Sequence, residues 1–71
     1  MEYTVILHKA EEGGYWAEVP ALESCFSQGD TIEQTLANIK SAIESHLIAL
    51  RSKGKKPPED NVLVFAKVKA A

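Results

Sequence analysis

The stretch Asp30–Gly54, DTIEQTLANIKSAIESHLIALRSKG, decides the fold, because it predicts a long amphipathic helix. Its apolar residues follow one another in steps of 4, 3, 4, 4 and 3. This spacing keeps them on one stripe of a helix with about 3.6 residues per turn. The stripe, by which the helix should pack on the rest of the domain, consists of Ile32, Leu36, Ile39, Ile43, Leu47 and Leu50.

Residues at both ends of this helix mark where it begins and where it ends. One capping box would pair Asp30 with Glu33, and an alternative box would pair Thr31 with Gln34; either satisfies backbone amides of the first turn. Gly54 is expected at the C′ position, where a left-handed conformation ends many helices. Two consecutive prolines then keep the following loop from continuing the helix.

Strands are predicted on both sides of the helix. A Gly-Gly turn separates the first two strands, Pro20 ends the second, and the hydroxyl-rich third strand suits the edge of a sheet. The fourth strand is apolar on both faces near its start, which indicates cover on both sides. The predicted strands are Tyr3–Lys9, Tyr15–Val19, Ser24–Gln28 and Asn61–Lys69.

This order of elements predicts an α+β fold, β-β-β-α-β, in a single domain over residues 1–71. Two reversals make strands 1 to 3 an antiparallel meander. The helix then crosses back, and a right-handed crossover places strand 4 parallel to strand 1 and beside it. We therefore expect a four-stranded mixed sheet of order 3-2-1-4 with the helix on one face.

One helix covers one face of such a sheet and leaves the other face open. Alternation along the strands places Trp16 and Ile6 on the open face, where they could form an apolar patch with Leu63 and Phe65. A patch of this kind commonly marks a protein interface, either with a partner or between copies of the chain. The alternative is that Trp16 lies flat over its own strand and covers itself.

Length and composition favour a partner chain. A domain of 71 residues buries only about 60% of the surface that its unfolded chain exposes. Small domains usually gain stability from a disulfide, a metal or a partner. A single cysteine excludes an internal disulfide, and the scattered Cys25, His8 and His46 have no zinc-like spacing. Oligomerisation is therefore expected, without a metal or other cofactor.

The charge and the N-terminal sequence narrow the class of partner and the compartment. The net charge is −2 and the pI is near 5.6, which disfavours DNA as the main partner. The N-terminus does not have the pattern of a signal peptide, and no apolar run approaches the roughly 20 residues of a membrane span. One free thiol fits a reducing compartment, so we expect a cytoplasmic protein.

The sequence does not predict catalytic residues. Cys25 as a nucleophile would need a nearby base, and the expected fold places His8 and His46 far from it. A two-metal nuclease would need converging carboxylates, whereas Glu33 and Glu44 lie about three turns apart on the helix. The basic segment Arg51–Lys56 is typical of a helix end and a solvated loop.

The segment that runs from Tyr15 through the first half of the helix resembles the N-terminal domain of HicB-like antitoxins. That family's pattern is an aromatic residue, A-x-x-P-x-L-x-G-C, G-x-T, and a helix that contains N-x-x-x-A-I. This chain differs in having Glu23-Ser24 in place of Pro-Gly and Gln34-Thr35 in place of Glu-Ala. The matching residues are Tyr15, Ala17, Pro20, Leu22, Cys25, Gly29, Thr31, Leu36, Asn38, Ala42 and Ile43.

The resemblance implies a degenerate ribonuclease H-like fold without nuclease activity. It also implies a prokaryotic type II antitoxin that forms dimers or tetramers and occludes a HicA-type toxin, a small ribonuclease that degrades mRNA. Many relatives add a C-terminal DNA-binding domain, for which this chain is expected to have no room. Two alternatives stay open: an orphan homo-oligomer without a toxin, and a residual nuclease.

Overall fold

The computed structural model describes residues 2–61 and 66–70. Three short strands precede one long helix: β1 (Ile6–Lys9), β2 (Tyr15–Glu18), β3 (Phe26–Gly29) and α1 (Ile32–Ser52). The three strands and the helix occur in the predicted order. Each strand has four residues, so all three are shorter than predicted, and β3 begins two residues later and ends one residue later than the predicted third strand.

The strands form an antiparallel sheet of order β1-β2-β3, which confirms the predicted meander. The register fixes which side chains share a face, because directly opposed residues of antiparallel strands point the same way. Leu7, Ala17 and Ser27 are opposed across the three strands and form one row. This row faces the helix, since Ala17 is fully buried in the core.

The core lies between this face of the sheet and α1. Ile39 supplies the buried centre of the helix stripe, and Val19, Leu22 and Cys25 complete the core from the loop between β2 and β3. Leu22 is about 1% exposed although it lies in the loop that follows Pro20. The loop is compact because three backbone hydrogen bonds close it: the Leu22 amide donates to the Val19 carbonyl oxygen, the Cys25 amide to that of Leu22, and the Val19 amide to that of Cys25.

The first turn of α1 is packed directly on the end of β3. A methyl group at Gly29 would lie 2.8 Å from both the backbone nitrogen and the Oγ1 of Thr35, so no larger residue fits without a shift. Thr35 is fully buried, and its hydroxyl donates to the Thr31 carbonyl oxygen at 2.7 Å. The Ser27 hydroxyl donates to the Thr35 carbonyl oxygen at 3.4 Å. Gly29 therefore serves close packing of helix on strand.

The structure selects one of the two predicted capping boxes. Thr31 is the N-cap, and its hydroxyl accepts from the Gln34 amide at 3.0 Å. The Gln34 side chain reaches back and accepts from the Asp30 amide at 2.7 Å. At the other end Gly54 has a φ of 70°, as expected for a C′ glycine.

The prediction of a fourth strand beside β1 is wrong for the residues that the structure describes. The sheet has three strands, so the four-stranded mixed sheet of order 3-2-1-4 is not formed. Asn61 and residues 66–70, which flank the centre of the predicted strand, are not in a strand. Residues 62–65 lie outside the described part of the chain. The ribonuclease H-like fold implied by the resemblance begins β-β-β-α-β and is not established by this sheet.

Two features explain why the predicted fourth strand does not form: the contacts of the residues just before β1, and the composition of the terminal segment. The chain does return to this edge, but Asp60 accepts from the Thr4 amide at 2.9 Å and from the Thr4 hydroxyl at 2.6 Å. Thr4 lies two residues before β1, so a side chain takes an amide that the longer predicted strand from Tyr3 would have offered to a ladder. Val68 is 87% exposed between two lysines, so this part of the tail buries too little apolar surface to be held in a sheet.

Ser24 provides a test of backbone strain. It has a φ of 63°, a left-handed conformation that is unfavourable for residues other than glycine, and its side chain is exposed. Glycine occupies this place in the family pattern. We predict that Ser24→Gly raises the free energy of unfolding by about 1 kcal/mol, measured by urea denaturation at fixed protein concentration.

Ser24→Ala is the matched control for this prediction. It removes the same hydroxyl but keeps the Cβ atom, so it should give no gain in stability. Equal stability of Ser24→Gly and the unchanged protein would show that the left-handed residue carries no strain.

Candidate protein-binding surface

The face of the sheet that points away from α1 carries two rows of three side chains. Ile6, Glu18 and Phe26 are opposed in one row. His8, Trp16 and Gln28 are opposed in the other row. We call these six residues the open face. The register determines this set, because the other residues of each strand alternate with these six and point toward the helix.

Three aromatic rings lie next to one another on the open face. The rings of His8 and Trp16 are stacked, with centroids 4.1 Å apart and an angle of 16° between their planes. On the other flank of Trp16, the Phe26 ring lies 6.3 Å away at 52°. Phe26 is 59% exposed, which is unusual for a phenylalanine in a strand. The open face therefore presents aromatic surface to solvent.

One hydrogen bond between side chains braces this aromatic group. The Nε2 atom of His8 lies 2.6 Å from an Oε atom of Glu18, and both side chains are about one third exposed. Glu18 thereby holds the His8 ring against Trp16. The six side chains of the open face include this carboxylate and neither lysine nor arginine.

A shallow cleft separates Trp16 from Phe26. Its volume is about 330 Å³, and it is lined by these two residues together with Ser27 and Gln28. This volume lies at the lower end of the range of small-molecule sites, which is about 300–1,000 Å³. The cleft is therefore sized for one side chain or a similarly small group.

The structure places two of the four predicted interface residues together. Ile6 and Trp16 both lie on the open face, whereas Leu63 and Phe65 lie outside the described residues. Trp16 is half-buried, and one side of its ring is covered by His8 of the neighbouring strand, so the alternative that Trp16 covers its own strand is not tested by this contact. Whether these residues mediate association stays a prediction.

Phe26 is the exposed aromatic residue that the sequence analysis did not single out. The signal was present in the alternation along the third strand. Because Cys25 and Ser27 flank Phe26 and point inward, Phe26 must point outward.

Cys25 is packed in the core, away from the open face. It is 4% exposed, and burial raises the pKa of its thiol because the charged thiolate would lose hydration. A nucleophilic cysteine needs the opposite shift. The structure thus describes Cys25 as a small buried apolar residue.

The other side chains considered for catalysis are dispersed. Glu33 and Glu44 are exposed on α1, and His46 lies on the same helix far from the open face. Within residues 2–61 and 66–70, no group of three or more His, Cys, Asp or Glu side chains is placed to hold a metal ion. The basic residues from Arg51 to Lys56 are exposed at the helix end.

A second surface runs between α1 and the residues around the start of β1. This helix groove has a volume of about 330 Å³ and is mainly apolar, with Lys40 and Glu44 on its rim. It exists because α1 has 21 residues and is about 31 Å long, whereas a strand of four residues spans about 13 Å. The apolar lining consists of Tyr3, Val5, Leu36, Ile39, Ile43 and Leu47.

Comparison with known protein families identifies the relatives of this fold. Residues 3–69 match the family model described as the HicB-like antitoxin of bacterial toxin–antitoxin systems. The chain belongs to the HicB-like antitoxin family. The match covers the sheet, the helix and the segment that returns to β1, and it confirms the resemblance found in the sequence.

Individual relatives agree with this assignment. UPF0150 protein Ta0767 of Thermoplasma acidophilum is 48% identical over 61 residues, which are 86% of this chain and 88% of the relative. UPF0150 protein ssr1765 of Synechocystis is 42% identical over 62 residues, 87% of this chain and 78% of the relative. A 14.9 kDa protein from the rep-hol region of Haemophilus phage HP1 is 33% identical over 86% of this chain and 45% of the relative.

Membership of the HicB-like family supports an antitoxin role and, in general terms, a toxin as partner. It suggests a protein that acts by binding rather than by catalysis. Across the described part of the chain, no helix is both long and apolar enough to cross a membrane.

The burial of Cys25 leads to a prediction for this HicB-like protein. Because the thiol pKa is raised and the side chain is buried, less thiolate is present and less is accessible at pH 8. We predict that iodoacetamide alkylates the native protein at least about tenfold more slowly than the protein in denaturant. Mass spectrometry of timed aliquots measures both rates.

Cys25→Ala should bind any partner as the unchanged protein does. A native alkylation rate equal to the denatured rate would mean that Cys25 is an accessible, reactive thiol.

Proposed function

We propose that this protein is the antitoxin of a type II toxin–antitoxin pair and that it binds a small, HicA-type, mRNA-degrading toxin through the open face of its sheet. Binding would occlude the surface on which the toxin holds RNA. The protein acts in the cytoplasm, where the toxin meets its substrate. No catalytic step by this chain is required.

The observation that carries this proposal is the aromatic surface of the open face. Protein interfaces are enriched in exposed aromatic residues, and a few of these usually dominate the binding energy. Trp16 and Phe26 lie side by side, and His8 and Glu18 brace Trp16. The surrounding polar side chains suit a contact that forms and dissociates in water.

Charge supports the same partner. The chain has a net charge of −2, and the open face carries one of its carboxylates and neither lysine nor arginine. A protein that binds RNA needs basic surface to approach phosphates. Complementary charge would speed the encounter and favour this partner over acidic proteins.

The test is co-expression with the product of the neighbouring open reading frame, followed by affinity capture and measurement of Kd. We predict that Phe26→Ala weakens binding about 30-fold, as expected for the loss of a central aromatic anchor. Phe26 is suited to this test because its exposed side chain contributes little to the core.

Ile48→Ala is the matched control, since Ile48 is 63% exposed but lies on α1 away from the open face. Its Kd should change less than about twofold, because an exposed residue outside the interface contributes little. If the capture returns no neighbouring product, the antitoxin proposal fails. If Ile48→Ala weakens binding as much as Phe26→Ala, the toxin binds elsewhere on the domain.

A second copy of the chain is the occupant that we propose for the helix groove. Leu36 is 43% exposed at this groove, so apolar surface is left over after the domain has folded. Lys40 and Glu44 lie one helical turn apart on the rim. If two helices pair antiparallel about a two-fold axis, the Lys40 of each copy faces the Glu44 of the other.

This self-association predicts that Leu36→Lys lowers the mass measured by light scattering from dimer or tetramer toward monomer. Ile48→Lys places the same charge on the same helix outside the groove lining and should leave the mass unchanged. A monomeric mass for the unchanged protein, or an equal effect of both variants, would contradict the groove as the site of association.

A further inference from the structure

One edge of the sheet, the outer side of β3, is left open by the fold. β3 pairs with β2 on one side only, since the order of the sheet is β1-β2-β3. Just before β1, at the opposite edge, the chain returns, and the Tyr3 hydroxyl donates to the Pro58 carbonyl oxygen at 2.7 Å. Among the residues that the structure describes, no backbone segment pairs with the outer side of β3. An open strand edge is a template for pairing with another chain.

The ladder between β2 and β3 shows which backbone groups point outward. In an antiparallel pair, opposed residues that exchange backbone hydrogen bonds alternate with opposed residues that do not. The Val19 amide donates to the Cys25 carbonyl oxygen at 3.3 Å, so every second residue of β3 after Cys25 is bonded to β2. The amides and carbonyl groups of Phe26 and Gln28 therefore point away from β2. We call these four outward groups the β3 edge.

A side chain of the helix occupies one group of the β3 edge. The Asn38 side-chain amide donates to the Gln28 carbonyl oxygen at 2.7 Å. Because a side-chain amide carries the same N–H donor as a peptide group, Asn38 takes the place of the N–H of an added strand. Within the described part of the chain, the Gln28 amide and both backbone groups of Phe26 make no hydrogen bond. Three of the four groups thus stay available for pairing.

The packing of the helix on β3 places Asn38 at this edge. Thr35 lies against Gly29, and Asn38 follows Thr35 by three residues, so the two side chains are neighbours on one side of the helix. Asn38 is nevertheless exposed to solvent. A hydrogen bond between neutral groups in contact with water contributes only a small net free energy. The contact therefore closes the β3 edge reversibly.

Composition favours a second copy of the chain as the occupant of the β3 edge. β1 contains Lys9 and β2 contains Glu18, whereas β3 has the sequence FSQG without a charged residue. Many edge strands carry lysine or proline, which oppose pairing, and β3 has neither. Two β3 strands therefore meet without charge repulsion, although each chain carries −2. About a two-fold axis at Ser27, Phe26 of each copy is opposed to Gln28 of the other, so their outward donors and acceptors match.

We propose that the β3 edge is a pairing site for the β3 of a second copy, and that Asn38 holds it closed by occupying the Gln28 carbonyl oxygen. Closure keeps copies of the chain from joining edge to edge into an extended sheet. The inference goes beyond the proposed function, because neither the toxin nor the helix groove takes part in this contact.

The experiment removes the side chain that closes the edge and measures self-association by analytical ultracentrifugation. We predict that Asn38→Ala gives a higher mass than the unchanged protein, and that the concentration at which this mass is half-formed falls about fivefold. Alanine is the strongest helix former, so this variant should keep α1. Ser45→Ala changes an exposed polar residue elsewhere on α1 and is the matched control, with no change in mass. Circular dichroism confirms that both variants are folded.

A second substitution shows whether the added association uses β3. Gln28→Pro removes an outward amide, and an edge strand tolerates proline where the N–H points to solvent. Combined with Asn38→Ala, it should return the mass to that of the unchanged protein. NMR provides an independent readout: in Asn38→Ala the amide resonances of Phe26 and Gln28 should shift as the protein concentration rises, and in the unchanged protein they should not.

An unchanged mass for folded Asn38→Ala, or a higher mass that persists in the double variant, would overturn the proposal. So would an Asn38→Ala variant that keeps its mass but binds the product of the neighbouring gene more tightly, which would assign the β3 edge to a strand of that partner. The ultracentrifugation contains no toxin, so its result leaves the antitoxin proposal to the capture experiment, and each proposal can fail without the other.

Discussion

The structure depends on one close approach, the packing of the first turn of α1 on the end of β3. Gly29 has no side chain, and the space that a methyl group would occupy is filled by the backbone and hydroxyl of Thr35. Thr35 is fully buried there, and the Thr31 cap holds the same turn. This contact commits one face of a three-stranded sheet to the helix. The period of two along each strand then leaves six alternate side chains on the other face.

The open face combines one aromatic side chain that is partly packed, Trp16, with one that is mostly exposed, Phe26. Trp16 is stacked on one side against His8, while Phe26 remains mostly exposed. Aromatic side chains have only two χ angles and so lose little conformational entropy on binding, which favours a contact with another protein. The buried Cys25 and the dispersed carboxylates of the described residues offer no comparable arrangement for catalysis.

Local signals in the sequence predicted the helix and the first three strands, whereas the pairing of a fourth strand with β1 was predicted wrongly. The apolar stripe, the two alternative capping boxes and Gly54 predicted α1, and alternation placed Trp16 on the open face. Ser24 departs from the glycine of the family pattern, and its φ of 63° is a left-handed conformation that glycine adopts without strain. The fourth strand was wrong because β-propensity describes one segment, whereas a ladder also needs a free edge and burial. At that edge the Thr4 amide is already bonded to Asp60. The exposure of Phe26 follows from alternation, because its neighbours Cys25 and Ser27 point toward the helix.

The central claim is that the open face, rather than α1, meets the partner. The most direct test is to follow the amide and indole resonances of the isotope-labelled protein by NMR while the unlabelled product of the neighbouring gene is added. The account predicts that the largest shifts fall on β1, β2 and β3, led by the Trp16 indole and the Phe26 amide. Large shifts confined to α1, with the Trp16 indole unchanged, would contradict it.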